Sequence, residues 1–291
     1  MATVKSPVAE DVGNVLSMEH VNLTVADPRI AEIFYITTMG FTRDPFIVFG
    51  SGNMWVNVGE QQFHVPSRKV NQVVPGHIGV VMPDLESLKK RLQNAEEHLA
   101  DTKFSWSADE GKVNVTGPWG NHFRVHEPSA EFGQMALGLP YVEFKVKRGA
   151  ADGIAQFYQQ VMKAPAKVSQ EEGEATTHVY IGLKQELIFR ETDKKLPPYD
   201  GHHVAVYVAN FSEPYEFFKK NDILMEDITM NQFRFKEIVH PKTGELLTEL
   251  EHEVRSLRHP MFQRDLINRD PAQGFVTYVR GMDQLNPLKR S

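Results

Sequence analysis

Four residues that could bind a metal or move a proton stand at corresponding places in this chain. His20, His77, Tyr141 and His203 each open a stretch in which polar and apolar residues alternate: HVNLTV, HIGVV, YVEFKV and HVAVYV. Between 44 and 47 residues later, inside another strand-like stretch, come His64, Arg124, Ile188 and Glu249 in turn. Neutral imidazole binds borderline cations such as Zn, Fe, Ni and Mn well. The chain has 12 histidines and no cysteine, so thiolate ligands, thiol nucleophiles and disulfides are excluded. Any metal must therefore sit on His, carboxylate, Tyr or Gln. A guanidinium cannot ligate a cation, so Arg124 reads instead as a clamp for a carboxylate or enolate oxygen of a substrate, or as the salt-bridge partner of a nearby glutamate. His122 and His126, two residues to either side of it, offer spare nitrogens on the same face.

The elements that must position these residues form a repeat. In the first copy His20, Asn22 and Thr24 alternate with Val21, Leu23 and Val25, the period of a strand with one apolar face. Asp27-Pro28 is a helix-start signal, since proline at the first helical position gives up no hydrogen bond. Ile30, Ile33, Phe34 and Met39 follow at helical spacing, Gly40 ends the helix, and PFIVFG, NMWVNVG and QQFHVP read as three strands. The same strand–helix–strands order returns from His77, Tyr141 and His203, and the narrow spread of the spacings supports a fourfold repeat. The paired aromatics Phe34/Tyr35, Phe157/Tyr158 and Phe217/Phe218 fall at one helix position and are expected in the core. His202 is expected to point away from His203, and His178 and His240 to lie near solvent.

A length of 291 residues makes two domains the natural expectation. The net charge of −6 and the lack of a Lys/Arg stripe argue against nucleic acid as a partner. No apolar run approaches the ~20 residues needed to cross a bilayer, and MATVKSPVAEDVGNV has no apolar block of a secretory signal. A cytoplasmic protein is the default expectation.

Paired strand–helix–strand–strand–strand modules, EHVNLTVADP…FY…MGF at 19–41 and GPWGNHFRVHEP at 117–128 resemble the vicinal oxygen chelate superfamily over roughly residues 17–253. That group includes glyoxalase I, methylmalonyl-CoA epimerase, fosfomycin and bleomycin resistance proteins, and type I extradiol dioxygenases, whose four-module layout is the most similar. The resemblance implies an α+β fold of four βαβββ modules in two pairs, each pair an open cleft-like half-barrel. Residues 1–16 would be a lead-in, 17–132 the first pair, 133–253 the second, and 254–291 a C-terminal extension. It also implies a metal at the base of a cleft, with ligands from the first residue of opening strands and the middle of closing strands.

In the first pair those positions are His20, His64, His77 and Arg124, where the family usually has a glutamate in place of the arginine. His20, His64 and His77 are thus the expected ligands, with Arg124 and His126 as catalytic candidates. The second pair offers Tyr141, His203 and Glu249, a two-histidine, one-carboxylate set with tyrosine in place of one histidine. The expected cofactor is a divalent metal, Fe(II) ahead of Zn, Mn or Ni. The implied function is a metal-dependent oxygenase acting on a small aromatic or enolic molecule. A glyoxalase- or epimerase-like lyase or isomerase is the alternative, and a non-catalytic binder of the bleomycin-resistance kind the next. The tail could lid a cleft through His259, Arg264 or Arg269, or pack over the sheet or a homodimer partner.

Overall fold

The computed structural model describes residues 11–45, 47 and 50–264. Four modules follow one another along the chain. The first has β1 (Val15–Asn22), β2 (Thr42–Arg43), β3 (Asn53–Val58) and β4 (Gln61–Pro66); the second has β5 (Gly76–Val81), β6 (Ser105–Asp109), β7 (Lys112–Thr116) and β8 (His122–His126). The third has β9 (Tyr141–Lys147), β10 (Ala166–Glu171), β11 (Glu174–Tyr180) and β12 (Glu186–Thr192); the fourth has β13 (His203–Val208), β14 (Glu226–Thr229), β15 (Gln232–Val239) and β16 (Leu246–Ser256). Each carries a helix after its first strand: α1 (Pro28–Ala31), α2 (Leu85–Ala95), α3 (Ala151–Phe157) and α4 (Ser212–Lys220).

Local signals account for the helices. Asp27 caps α1 by accepting from Arg29 N at 2.8 Å and Ile30 N at 3.3 Å, with Pro28 at the first position. The chain runs on through a π-helical segment, Glu32–Thr38, whose last carbonyls are capped from outside. Buried Arg91 of α2 donates Nε to Thr38 O at 3.1 Å and Nη2 to Met39 O at 3.2 Å. Asp84 caps α2 through Ser87 N at 2.9 Å.

The modules pair into two eight-stranded sheets, ordered β14-β15-β16-β13-β1-β4-β3-β2 and β10-β11-β12-β9-β5-β8-β7-β6. Within a module the first and last strands run parallel; at the centre of each sheet two opening strands meet antiparallel. The pairing differs from the expected one. The first module shares a sheet with the fourth, and the second with the third, so 17–132 and 133–253 are not sheet-sharing pairs. Successive modules meet through their helix layers instead: Phe34 packs on Phe123 of the second module with ring centroids 5.5 Å apart, and Phe157 on Phe218 and Phe235 of the fourth at 6.1 and 5.9 Å. The paired aromatics form this core, and all but Phe217 of the six are fully buried.

Two side-chain latches hold β1 against distant elements. Asn14 Nδ2 donates to Met162 O at 3.2 Å and Asn210 O at 3.0 Å. A register shift of β1 lies between Met18 and His20, where the Gln185 amide takes the freed backbone groups: Met18 N donates to its Oε1 at 3.0 Å, and its Nε2 donates to Met18 O at 3.2 Å. Among the described residues no helix is long and apolar enough to cross a membrane.

Candidate metal centre

Two rows of residues run across the middle of the first sheet. In one, Gln62 of β4 pairs with His20 of β1, His20 with Ala205 of β13, and Ala205 with Glu253 of β16. In the next, His64 pairs with Asn22, Asn22 with His203, and His203 with Glu251. Alternation aims these side chains at one face. Because Ala205 carries only a methyl group, the longer side chains beside it converge over it. One ligand atom from each of His20, His203 and Glu253 lies within 4.8 Å of the others, and all three residues are buried.

The hydrogen bonds suit this set to a cation. His20 is 0% exposed, and its Nδ1 bonds Glu19 Oε2 at 2.5 Å. A carboxylate cannot donate, so Nδ1 carries a proton toward Glu19 and Nε2 is the ring nitrogen left to face a metal, the usual support for a metal-bound imidazole. That Nε2 is buried without a hydrogen-bond partner, and so is His203 Nε2. An unpaired buried nitrogen is costly, and two aimed at one carboxylate are explained by a shared ion. Burial holds His203 well below its ordinary pKa, with His20 and Arg234 adding to the effect, so it is neutral and able to ligate. Burial alone would raise the Glu253 carboxyl, but His20, Arg255 and Arg234 outweigh it and keep the group below the usual carboxylate range.

Arginines complete the surroundings. Arg255 Nε donates to Glu253 Oε1 at 2.6 Å and its Nη1 to Glu19 Oε2 at 2.7 Å; Arg234 bridges Glu251, at 2.5 Å through Nη1, and Glu253. Three carboxylates here face two guanidinium groups and the His20 imidazole. His64 stands beside the centre, its ring stacked on Trp55 with centroids 4.1 Å apart and 5.8 Å from the His20 ring. Its Nε2 donates to Asn53 Oδ1 at 2.6 Å, and burial, with His20 next, lowers its pKa to about 2.

The predicted residues are thus redistributed. His20 and His64 share the first sheet with His203, whereas His77 lies on the second, so the three expected ligands do not converge. Tyr141 is likewise on the second sheet, apart from His203. Glu249 is bound to Lys236 at 2.8 Å toward the start of its strand, two residues before Glu251, the partner of His203. Glu253, Glu251 and Glu19 complete the centre and were not singled out by the sequence. Their signal lies in ELEHEVR, where the glutamates alternate with buried residues. His202 faces away from His203, stacked on Phe144, as expected. His178, expected near solvent, is instead held between Glu186 at 2.8 Å and Glu171 at 2.5 Å.

The start of the tail closes one end of this cleft. Phe262 packs on Tyr207 at 5.0 Å, and Arg264 Nη1 donates at 3.0 Å to Asp44, whose Oδ2 accepts from Gln62 Nε2 at 2.7 Å. His259 is buried close by; Arg269 lies outside the described residues.

On the second sheet, the same row reads His77, Glu143, Ile188. Tyr141 covers Gly79, where a Cβ would come within 2.5 Å of its ring. Tyr141 lies near Arg124, and its hydroxyl bonds His126 Nε2 at 2.8 Å. The two predicted catalytic residues, Arg124 and His126, therefore sit together in this second cleft and not beside the metal set.

No protein-family model and no curated protein matches the chain. Solved structures do. A glyoxalase I variant from Zea mays superposes with a TM-score of 0.57 at 12% identity, over 89% of this chain and 98% of that one. A putative dioxygenase from Bacillus subtilis gives 0.52 at 14% identity, over 85% and 86%. Glyoxalase I from Zea mays gives 0.52 at 12%, over 84% and 93%. At these identities the likeness is one of architecture, and it agrees with the four-module sheets described above: the chain has the vicinal oxygen chelate, glyoxalase-like fold.

Proposed function

We propose that the chain is a metal-dependent enzyme whose centre is His20, His203 and Glu253, and that it oxygenates a small aromatic or enolic molecule. The observation that carries this reading is the pair of buried, unpartnered Nε2 atoms facing one carboxylate. Two histidines and one carboxylate are the ligand set of non-haem Fe(II) oxygenases, in which the bound iron leaves open positions for substrate and dioxygen. The protein's own part is to prepare the set. Glu19 fixes the His20 tautomer, burial keeps His203 neutral, and the arginines keep Glu253 ionised. The Trp55–His64 stack gives the cleft a flat wall suited to a planar substrate. With its pKa near 2, His64 is too weak a base to accept a proton at neutral pH and serves as wall.

A second reading, an isomerase or lyase that moves a proton beside a carbonyl, is favoured by Glu251. Burial raises its carboxyl above the ordinary value, and its Oε1 lies 3.6 Å from His203 Nδ1, so a base stands next to the metal set.

Elemental analysis of purified protein, then an oxygen electrode with Fe(II) and a panel of catechols, tests both. Stoichiometric metal with oxygen uptake abolished in Glu253→Gln supports the oxygenase. Bound metal with solvent-proton exchange into an α-hydroxy carbonyl substrate, and no oxygen uptake, moves the assignment to the isomerase. A protein that takes up neither Fe(II), Zn(II), Mn(II) nor Ni(II) sinks both.

A further inference from the structure

The second cleft lacks the metal set but holds a cavity of about 330 Å³, lined among others by His77, Ser107, Asn114, His122 and Arg124. Its charge is unbalanced. Arg124 is half-buried, and among the described residues no carboxylate lies within ion-pair distance of it. The carboxylate of the cleft itself, Glu143, is already engaged by Arg190 Nε at 3.3 Å, Lys145 Nζ at 3.4 Å and His77 Nδ1 at 3.5 Å. The Tyr141 hydroxyl, near Arg124, is hydrogen-bonded to His126 Nε2 at 2.8 Å. Burial brings both His77 and His126 down to about 4, so at neutral pH Arg124 supplies the cavity's positive charge.

We propose that this cavity binds a small organic carboxylate on Arg124, independently of any metal in the first cleft. A single planar guanidinium fork matches the two oxygens of a carboxylate. Phosphate is the poorer fit, because among the described residues no lysine or second arginine lines the cavity. Ser105, Ser107 and Thr116 add hydroxyl donors around the head group. The volume sits at the lower end of small-molecule sites, which limits the ligand to the size of a single ring or a short chain.

Calorimetric titration of the full chain, as purified and after EDTA treatment, with benzoate, benzyl alcohol and inorganic phosphate tests the proposal. Benzoate is expected to bind one to one in both preparations, phosphate more weakly, and benzyl alcohol without measurable heat. Arg124→Gln should weaken benzoate roughly tenfold or more, the loss of a charge-assisted pair, while His20→Ala leaves it unchanged. Ser107→Trp, which fills the cavity from the strand two removed from that of Arg124, should also abolish binding; thermal melts of each variant establish that it is folded. Absence of benzoate binding overturns the proposal. So does equal binding of benzyl alcohol, phosphate binding tighter than benzoate, or full affinity in a folded Arg124→Gln protein.

Discussion

At the centre of one sheet Ala205 lies between His20 and Glu253; at the same place in the other, Glu143 lies between His77 and Ile188. The frames match strand for strand, so the difference isolates what a chelating cleft needs. A small residue in the middle leaves a space that two imidazoles and a carboxylate border without filling. A glutamate there fills the space itself and draws Lys145 and Arg190 onto it, so the internal ion pairs satisfy the charge that a cation would otherwise satisfy. His203 is answered by Tyr141, Glu253 by Ile188 and His64 by Arg124. One cleft keeps unpaired nitrogens; the other has closed its polar network except for one guanidinium.

The sharpest way to break this comparison is to remove ligands from each side. His20→Ala and Glu253→Gln should each lower metal affinity by roughly a hundredfold or more, whereas His77→Ala and Tyr141→Phe leave it unchanged, read by elemental analysis after gel filtration. Equal losses from both clefts would end the distinction. Grafting is the converse: Glu143→Ala, Tyr141→His and Ile188→Glu together should let the second cleft take up a second equivalent of Zn(II) or Fe(II). If the folded triple variant binds only one, the central small residue is not the deciding feature.

Acid should act more strongly on the first sheet. His252 of that sheet is buried, 2.8 Å from the Tyr158 hydroxyl, and burial lowers its pKa from 6.5 to about 4. Below pH 6.5 the unfolded chain takes up a proton that the folded chain refuses, so stability falls from pH 6.5 to about 4. This one group costs about 2 kcal/mol at pH 5 relative to pH 7. Urea titrations at the two pH values should show at least that loss, and His252→Phe a flatter dependence. The smallest effect is expected at Glu249. Its pair with Lys236 is partly exposed, and Glu249→Gln should change stability by less than about 0.5 kcal/mol with metal content unaltered. Loss of metal in this variant would restore Glu249 as a ligand.

The repeat was legible in the sequence because it is local. Strands begin at Tyr141 and His203, where alternation starts, and Asp27-Pro28 caps a helix as such pairs do. Which edges meet was not legible, because any opening strand offers the same apolar backbone edge, and the choice is made by distant residues such as Asn14 and Gln185. Two of the three proposed ligands, His20 and His203, stood out as opening residues but were assigned to separate clefts. Glu253 was missed for a register reason. Glu249, Glu251 and Glu253 share one face of β16, and a period of two cannot say which of them lies beside the opening strand. The fold of β13 against β16 decides it, placing Glu251 beside His203 and Glu253 one row further on, beside Ala205.

Joining the first module to the fourth also sets a timetable. Arg255 and Glu19, which clasp the centre, are separated by 236 residues. At about 5–20 residues per second of synthesis, β1 waits ten seconds or more for its partner, its edge unpaired while the second and third modules can already close their own sheet. His20, His203 and Glu253 are thus brought together last, and a chain released before β16 emerges has a finished second sheet and no such cluster.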